Sequence, residues 1–354
     1  MKSDDGRLML FAPNVHTGGG LVLLKSLLAA WPAGRPLRAW LDARARHDLT
    51  LPGGAEVTWV EASPLSRARA QWDSARSARA QDRLLCFHGL PPVWDSPARV
   101  EVFLQNRNYL GEVDLSTFSP RTRLRLRLEQ WMLRRGRERV HGYWVQTPSM
   151  AAALRRWWGP VQGRAPAVKV LPFLPLQPEA PADGAAGTAP PVLDYLYVAD
   201  GEAHKNHRRL IEAWRLLAAE GLRPSLGLTL GAKDQALRDW IDAEAQAHGL
   251  QIRQLGVLPH AELLGWYGRC RALVFPSLSE SFGLPLIEAR QAGCPVLAGE
   301  LDFVRDVCEP AQTFDPLSAV SIARAVRRFE GCAQAPLEPA GAAAFLAALM
   351  AEPQ

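Results

Sequence analysis

Short apolar runs, which are typical of buried strands, alternate along this chain with stretches of helical periodicity. In the first half the predicted strands are RLMLFAPNV, RAWLDA, AEVTWVEA, RLLCFHG, RVEVFLQN and GYWVQTP. The first of them is followed by a predicted turn, GGG at 18–20, and by the predicted helix LVLLKSLLAAW. Alternation of this kind predicts a parallel sheet with helices on both faces.

The pattern restarts after a segment that has no apolar periodicity. This segment, LQPEAPADGAAGTAPP at 176–191, has the Pro, Ala and Gly content of a linker. Beyond it the predicted strands are VLDYLYVAD, SLGLTLGA, IRQLGVL, ALVFPS and PVLAG, with helices over 207–219, 234–248, 260–269, 285–292 and 318–329. The 354 residues therefore divide into a first α/β domain at 1–175, the linker, a second α/β domain at 192–335 and an Ala-rich tail at 336–354.

Composition argues against several classes of protein. The five cysteines form no C-x-x-C pair and are odd in number, which argues against a disulfide framework or a zinc site and favours a reducing compartment. The N-terminus carries acids where a signal peptide needs basic residues. No apolar run reaches the ~18 residues that a membrane-spanning helix needs. The expected location is therefore the cytoplasm.

Two carboxylates bracket a Gly-Leu-Pro step in PSLSESFGLPLIEARQAG at 276–293. Glu280 falls in the loop after a predicted strand, and Glu288 lies about one turn into the next helix, between Pro285 and Gly293. Because loops at the carboxyl ends of parallel strands bind ligands, both acids can face one cleft. The alternative is that Glu288 only complements the helix dipole and Glu280 is a solvated loop acid.

A lysine occurs where another helix is predicted to begin. Lys205 directly precedes Asn206, the expected N-cap of the helix at 207–219. A cation at a helix N-terminus is unfavourable unless an anion binds there too. The segment therefore predicts an anion site, with a chance occurrence of lysine as the alternative.

These segments resemble the donor-binding half of glycosyltransferase family 4 (group 1). The segment ESFGLPLIE matches the two glutamates of that family, which seven residues separate, and YVADGEAHKNHRRLIEA, LGVLPHAEL and FDPLSAVSIARAV occur in the family's order within 192–329. The first domain is similar to the family more loosely, through APNVHTGGG and FHG. The resemblance implies an α/β protein with the GT-B fold, in which two Rossmann-like domains with parallel sheets face each other across a cleft.

The resemblance also implies roles for particular residues. Glu280 is expected to bind hydroxyls of the donor sugar, Glu288 to bind the ribose of the nucleotide, and Lys205 to bind the diphosphate. His88, after a strand of the first domain, is expected to lie near the donor sugar or to be a buried structural imidazole. The implied catalytic residues are thus Glu280, Lys205 and His88. The implied donor-binding residues are Gly18, Gly19 and Gly20, whose amides approach from the first domain, with Lys205, Asn206, Arg208, Ser281, Phe282, Gly283, Leu284 and Glu288.

The chain departs from the family at Asp200, where many members have an arginine that binds the diphosphate. Arg208, Arg209 or Arg107 is expected to supply a second cation, unless backbone amides and Lys205 suffice. Ser281 stands where the family commonly has glycine, a mild change. The sequence contains no Asp-x-Asp. In the family, protein groups neutralise the diphosphate, so neither a metal ion nor another cofactor is expected.

Positive charge is concentrated between Arg121 and Arg139, where eight arginines and two acids give six net charges, against +5 for the whole chain. Apolar residues interleave these arginines, among them Leu124, Leu128, Trp131 and Met132. The pattern predicts a helix that lies on an anionic membrane surface, and a packed helix with solvated arginines is the alternative. The chain contains no recognised nucleic-acid-binding module, so nucleic acid is not an expected partner.

The resemblance finally implies a reaction. The expected protein is a retaining transferase that moves a sugar from a nucleotide-diphosphate sugar to a lipid-linked or other saccharide acceptor. It would act in bacterial surface-glycan synthesis, such as that of lipopolysaccharide O-antigen or exopolysaccharide, at the inner face of the cytoplasmic membrane. One alternative is a non-catalytic sugar-nucleotide-binding subunit, which donor turnover would exclude. Another is a GT-B sugar-nucleotide epimerase, which donor conversion without an acceptor would support.

Overall fold

The computed structural model describes residues 6–111, 115, 118, 120–159, 166–173 and 191–332. The predicted tail and the predicted linker up to residue 190 lie outside these ranges. Within them the chain forms two separate parallel sheets, each with helices in its connections. The predicted α/β class with two parallel sheets is confirmed.

The first sheet has seven parallel strands in the order β3-β2-β1-β4-β5-β6-β7. Its strands are β1 (Leu8–Ala12), β2 (Leu37–Asp42), β3 (Glu56–Val60), β4 (Arg83–Cys86), β5 (Arg99–Phe103), β6 (Gly142–Val145) and β7 (Ala167–Val170). The helices of this domain are α1 (Gly18–Ala29), α2 (Pro64–Ser77), α3 (Pro120–Gly136) and α4 (Pro148–Trp158).

Local sequence explains where two of these helices begin. Both α2 and α4 have proline in the first turn, where its missing N–H is not needed. Ser63 Oγ accepts a hydrogen bond from the Ser66 amide, and Thr147 Oγ1 accepts one from the Met150 amide. These side chains satisfy helix N–H groups that have no partner in the first turn.

The second sheet has six parallel strands in the order β10-β9-β8-β11-β12-β13. Its strands are β8 (Leu193–Tyr197), β9 (Leu226–Leu228), β10 (Ile252–Gln254), β11 (Cys270–Phe275), β12 (Val296–Gly299) and β13 (Gln312–Phe314). The helices are α5 (His207–Ala219), α6 (Gln235–His248), α7 (His260–Tyr267), α8 (Leu284–Gln291), α9 (Asp302–Arg305) and α10 (Ala319–Phe329). One continuous core of buried side chains joins this sheet to its helices.

Three elements escaped the sequence analysis because their signals are short. β7 lies at the edge of its sheet with mostly exposed residues, so it lacks the apolar run of a buried strand. β13 has three residues and α9 has four. One prediction was wrong in detail: the glycines at 18–20 form the first turn of α1 instead of a separate turn before it.

In the described part of the chain, no helix is both long enough and apolar enough to span a lipid bilayer.

Candidate active site

The candidate site lies where the strand order of the second sheet reverses, between the neighbouring strands β8 and β11. The loop after β8 carries Lys205, and the loop after β11 carries Glu280. The Lys205 Nζ lies 2.6 Å from the Glu280 Oε1, and the two side chains are 18% and 14% exposed. Ligands of open parallel sheets bind at such reversal points, beyond the carboxyl ends of the strands. The fold therefore brings two of the predicted catalytic residues into direct contact.

Asn206 holds these two loops together. Its backbone is left-handed, with φ of 64°, and its side-chain Nδ2 donates hydrogen bonds to the carbonyls of Pro276 and Pro316 at 3.1 Å and 2.7 Å. The Leu278 amide also bonds the His204 carbonyl. Asn206 has the N-cap position expected for α5, but its side chain does not cap the helix because it is used in this link between loops.

The Gly-Leu-Pro step brings the first domain close to the second. Gly283 has φ of 72°, a conformation that residues with a Cβ rarely adopt, and it directly precedes α8. A Cβ on Gly19 would lie 3.0 Å from Leu284 Cδ1, so the first turn of α1 packs close to the start of α8. Phe282 is buried in the core of the second domain. The predicted glycine segment and the predicted donor segment are therefore adjacent.

Glu288 lies in a different environment from Glu280. Glu288 is 5% exposed, and its two carboxylate oxygens accept hydrogen bonds from His260 Nε2 and the Tyr267 hydroxyl, each at 2.9 Å. It does not line the cavity that contains Glu280. The two acids thus have different surroundings, because α7 supplies partners that keep Glu288 buried, and the expected binding of the nucleotide ribose by Glu288 stays a prediction.

The contact with Glu288 raises the pKa of His260 above its ordinary value of 6.5, chiefly through their hydrogen bond, although burial opposes this. A raised pKa in the folded state stabilises the fold fully below about pH 6.5, and the effect is lost as pH rises through the folded-state pKa. We therefore expect His260→Gln to reduce stability more at pH 5.5 than at pH 8.5. The difference should be at most about 1 kcal/mol, since the imidazole is a third exposed.

Urea unfolding of both proteins across this pH range measures the effect. A His260→Gln penalty that does not change with pH would mean that the imidazole is neutral throughout.

Asp200 lies between two lysines. Burial opposes ionisation of its carboxyl, but Lys205 and the hydrogen bond from Lys233 Nζ at 3.0 Å outweigh burial and hold the pKa of Asp200 below its usual value. The carboxylate is therefore charged at neutral pH. Asp200 pairs with Lys233, so the position at which the resemblance implies an arginine carries a negative charge here.

Two of the three arginines expected to supply the second cation point elsewhere. The guanidinium of Arg208 lies over the Trp240 ring, 4.4 Å from its centroid, and Arg209 Nη1 bonds the Glu212 carboxylate at 2.9 Å. Neither residue lines the cavity, whereas Arg107 does. A stacked position over an aromatic ring stabilises Arg208 on α5, and its expected contact with the diphosphate stays a prediction.

A cavity of about 290 Å³ separates the two domains at Lys205 and Glu280. Its first-domain wall consists of Gln105, Asn106, Arg107, Asn108, Phe118, Thr122, Arg125 and Leu126. Its second-domain wall consists of Asp200, Glu202, His204, Lys205, Ser279, Glu280 and Ser281. Most residues of the first-domain wall were not predicted from the sequence. The signal that could have found part of it is QNRN, a polar run that begins two residues after the end of the buried strand β5.

His88 follows β4 and does not line this cavity. Its Nδ1 donates to the Phe11 carbonyl at 3.3 Å, and its ring packs edge-on against the Phe11 ring. Burial lowers the pKa of His88 to about 4, so the imidazole is neutral at pH 7. These contacts are those of the structural imidazole that the sequence left open as one alternative.

Residues 187–338 match the family model described as glycosyl transferases group 1. Among curated proteins, the chain is similar to O-antigen chain mannosyltransferase B of Escherichia coli, with 36% identity over 115 residues, which are 32% of this chain and 30% of that protein. It is also similar to the serotype-specific mannosyltransferase WbdA of Escherichia coli, with 36% identity over 110 residues, 30% of this chain and 13% of that protein. The chain thus matches less than a third of the length of these relatives.

Solved structures extend the likeness to both domains. Sucrose-phosphate synthase from Thermosynechococcus elongatus superposes with a TM-score of 0.65 at 19% identity, over 92% of this chain and 90% of that one. Anabaena HepE in complex with UDP and glucose superposes with a TM-score of 0.63 at 14% identity, over 91% of this chain and 89% of that one. The fold is therefore GT-B, and residues 187–338 of the chain are similar in sequence to the glycosyl transferases group 1 family.

Proposed function

We propose that this protein is a retaining glycosyltransferase that moves a sugar from a nucleotide-diphosphate sugar to a saccharide acceptor. The acceptor is lipid-linked, and the product is a bacterial surface glycan such as O-antigen. The mannosyltransferase relatives and the UDP and glucose bound by HepE support this class of reaction.

The observation that carries the proposal is the contact between Lys205 and Glu280. Lys205 Nζ and Glu280 Oε1 are 2.6 Å apart. Both residues lie at the reversal point of the second sheet, on the wall of a cavity between the two domains. The carboxylate can accept hydrogen bonds from sugar hydroxyls, and the ammonium can neutralise a departing diphosphate. Both residues lie within 187–338, the part of the chain that matches the family model.

In this reaction the acceptor hydroxyl oxygen bonds the anomeric carbon while the bond from that carbon to the diphosphate breaks. The proton of the hydroxyl passes to the leaving diphosphate on the same face of the sugar. The protein mainly positions the two substrates and stabilises the charge that develops on the leaving group. In the second domain, Lys205 is the residue that stabilises the charge on the leaving diphosphate.

A thermal-shift panel of UDP-, GDP- and ADP-linked sugars, including mannose and glucose donors, tests donor binding. A donor present at 100 times its Kd should add about 2.7 kcal/mol of stability. Release of the nucleoside diphosphate then distinguishes a transferase from the non-catalytic binding subunit. Donor conversion without any acceptor would instead indicate the epimerase. A panel in which no sugar nucleotide raises the melting temperature would contradict the proposed function.

We expect sugar transfer to survive exhaustive treatment with EDTA, because cationic side chains of the chain can neutralise the diphosphate. Initial rates should agree within about twofold before and after chelation, whereas a metal acting as Lewis acid contributes several kcal/mol. The control is a second assay with Mg²⁺ or Mn²⁺ restored. A strict requirement for either ion in the chemical step would contradict this prediction.

The outward face of α3 supports membrane association. Leu124, Leu128 and Trp131 follow one another at helical spacing on this face and are 72%, 55% and 59% exposed. Arg127, Arg134 and Arg135 are also exposed and flank this apolar stripe. An exposed apolar stripe between cations is typical of helices that lie in the interface of an anionic bilayer. The proposed location is therefore the inner surface of the cytoplasmic membrane.

We expect the protein to co-sediment with phosphatidylglycerol vesicles at low salt and to dissociate as salt approaches 1 M. Each basic residue near an anionic surface contributes about 1 kcal/mol, and screening shortens the reach of the field. Reversing Arg123, Arg127, Arg134 and Arg135 to Glu should abolish co-sedimentation and spare transfer to a soluble acceptor. Phosphatidylcholine vesicles are the control. If the unmodified protein stays in the supernatant with phosphatidylglycerol at low salt, the membrane proposal fails.

A further inference from the structure

The two walls of the cavity differ in charge. On the second-domain wall, Lys205 is paired with Glu280. Asp200 of the same wall pairs with Lys233, which lies next to the cavity, and Glu202 adds a further carboxylate. Three carboxylates therefore face two lysines. A diphosphate that enters beside this wall meets no net positive charge from its side chains.

The first-domain wall has the opposite balance. Arg107 and Arg125 contribute two guanidinium groups, and none of the described residues that line this wall is a carboxylate. The other polar side chains there are amides and a hydroxyl, which can donate hydrogen bonds to an anion. Among the described residues that line the cavity, the first-domain wall therefore carries the net positive side-chain charge.

A common framework holds the two arginines. Arg107 begins the 3₁₀ turn Arg107–Leu110, and its amide donates to Ser281 Oγ at 2.9 Å, directly beside Glu280. Gln130 of α3 donates through Nε2 to the Asn108 carbonyl at 2.8 Å, which ties the helix to this turn. The neighbour of Arg125 in α3, Leu126, is buried in the domain core. The backbones that carry the two guanidinium groups are therefore linked to each other and to the loop of the second domain.

Arg125 differs from the other arginines of α3 in its surroundings. Both Arg125 and Arg127, two residues further on, are exposed, but only Arg125 lines the cavity. Its Nε lies 3.9 Å from the Oε2 of Glu129, and the Arg125 side chain is 64% exposed. A pair this long and this exposed contributes little energy. Arg125 can therefore exchange this contact for a substrate anion.

We infer that Arg107 and Arg125 form a phosphate-binding site on the first-domain wall of the cleft. The inference rests on the proposed function, because it concerns a substrate of the same cleft. Planar guanidinium groups bind phosphate oxygens in pairs, and here they compensate for the acid at position 200. The phosphate belongs either to the donor diphosphate or to a phosphate group of a lipid-linked acceptor.

Arg107→Gln and Arg125→Gln test the site, with Arg127→Gln as the variant that removes the same charge from the outward side of α3. The first measurement is the Kd of the nucleoside diphosphate and of the corresponding free nucleoside, by calorimetry. The second is the KM of a soluble acceptor with its phosphate and of the same saccharide without it. Soluble substrates keep membrane binding out of both measurements.

If the site binds the donor, each cavity variant should raise the Kd of the nucleoside diphosphate by about tenfold or more, the scale of a lost charge-assisted hydrogen bond. The Kd of the free nucleoside should not change. If it binds the acceptor, the KM should rise by a similar factor only for the phosphate-bearing acceptor. Arg125→Lys keeps the charge but lacks the planar guanidinium group, so its Kd or KM should lie between the values of the wild type and of Arg125→Gln. Melting temperatures establish that the variants fold.

The inference is overturned if Arg107→Gln and Arg125→Gln match Arg127→Gln in both measurements while the wild-type protein binds donor and transfers sugar. That result would leave the proposed function intact. A wild-type protein that binds no sugar nucleotide would instead remove the proposed function and this inference with it.

Discussion

Glu280→Gln is expected to reduce sugar transfer by about 100-fold or more, the scale for losing a preorganised polar group at a reacting centre. The side chain lies on the wall of the cavity, and its Oε1 accepts the hydrogen bond from Lys205 Nζ at 2.6 Å. Glutamine has the same shape but carries no charge, so it binds both the lysine and the sugar hydroxyls more weakly. Initial rates with saturating acceptor measure the loss.

The fold of this variant should persist. Glu280 is less exposed than an ordinary loop acid, but the glutamine carbonyl can still accept a hydrogen bond from Lys205, so no buried donor is left unsatisfied. Glu212→Gln, the same chemical change at an exposed position of α5, is the matched control. A folded Glu280→Gln protein with near-wild-type transfer would show that this carboxylate takes no part in the reaction.

Lys205→Ala should weaken donor binding and slow turnover by about two to four kcal/mol in total, since it removes the cation proposed to neutralise the leaving diphosphate. The substitution also leaves the Glu280 carboxylate, which is 14% exposed, without its partner. A carboxylate in that state repels the diphosphate as well. The loss should therefore exceed that of a simple surface cation, and Kd and kcat should both change.

A double-mutant cycle separates these two contributions. If repulsion by the unpaired carboxylate matters, Lys205→Ala combined with Glu280→Gln should lose less donor affinity than the sum of the single variants. Lys169→Ala, which removes a lysine that lies over Trp144 in the first domain, is the matched control. Donor affinity and turnover of Lys205→Ala equal to those of Lys169→Ala would mean that the diphosphate binds elsewhere.

Much of the second domain was predictable because its signals are local. The helix predicted at 207–219 is α5, and its apolar positions Leu210, Ile211, Trp214 and Leu217 are buried as its periodicity indicates. The segment ESFGLPLIE contains both the glycine that needs a left-handed backbone and the proline of the first helical turn. Such features depend only on neighbouring residues, so a single sequence reveals them.

Two features of the candidate site depended on tertiary packing. The sequence alone did not show that Glu288 is buried, because its partners His260 and Tyr267 come from another helix. Nor did it show that Arg208 lies over Trp240, a residue of α6. In both cases the side chain has a choice of neighbours that helical periodicity does not encode.

By itself, the sequence determined the two α/β units, the loops that follow their strands, and the presence of a lysine and a glutamate at the ends of two of those strands. Only the tertiary structure decided that Lys205 and Glu280 touch, since 75 residues separate them along the chain. Only the tertiary structure also distinguished Arg125 from Arg127, which have the same chemistry and nearly the same position. Strand and helix patterns arise from contacts between near neighbours, whereas the direction of a charged side chain depends on which distant segments pack against its element.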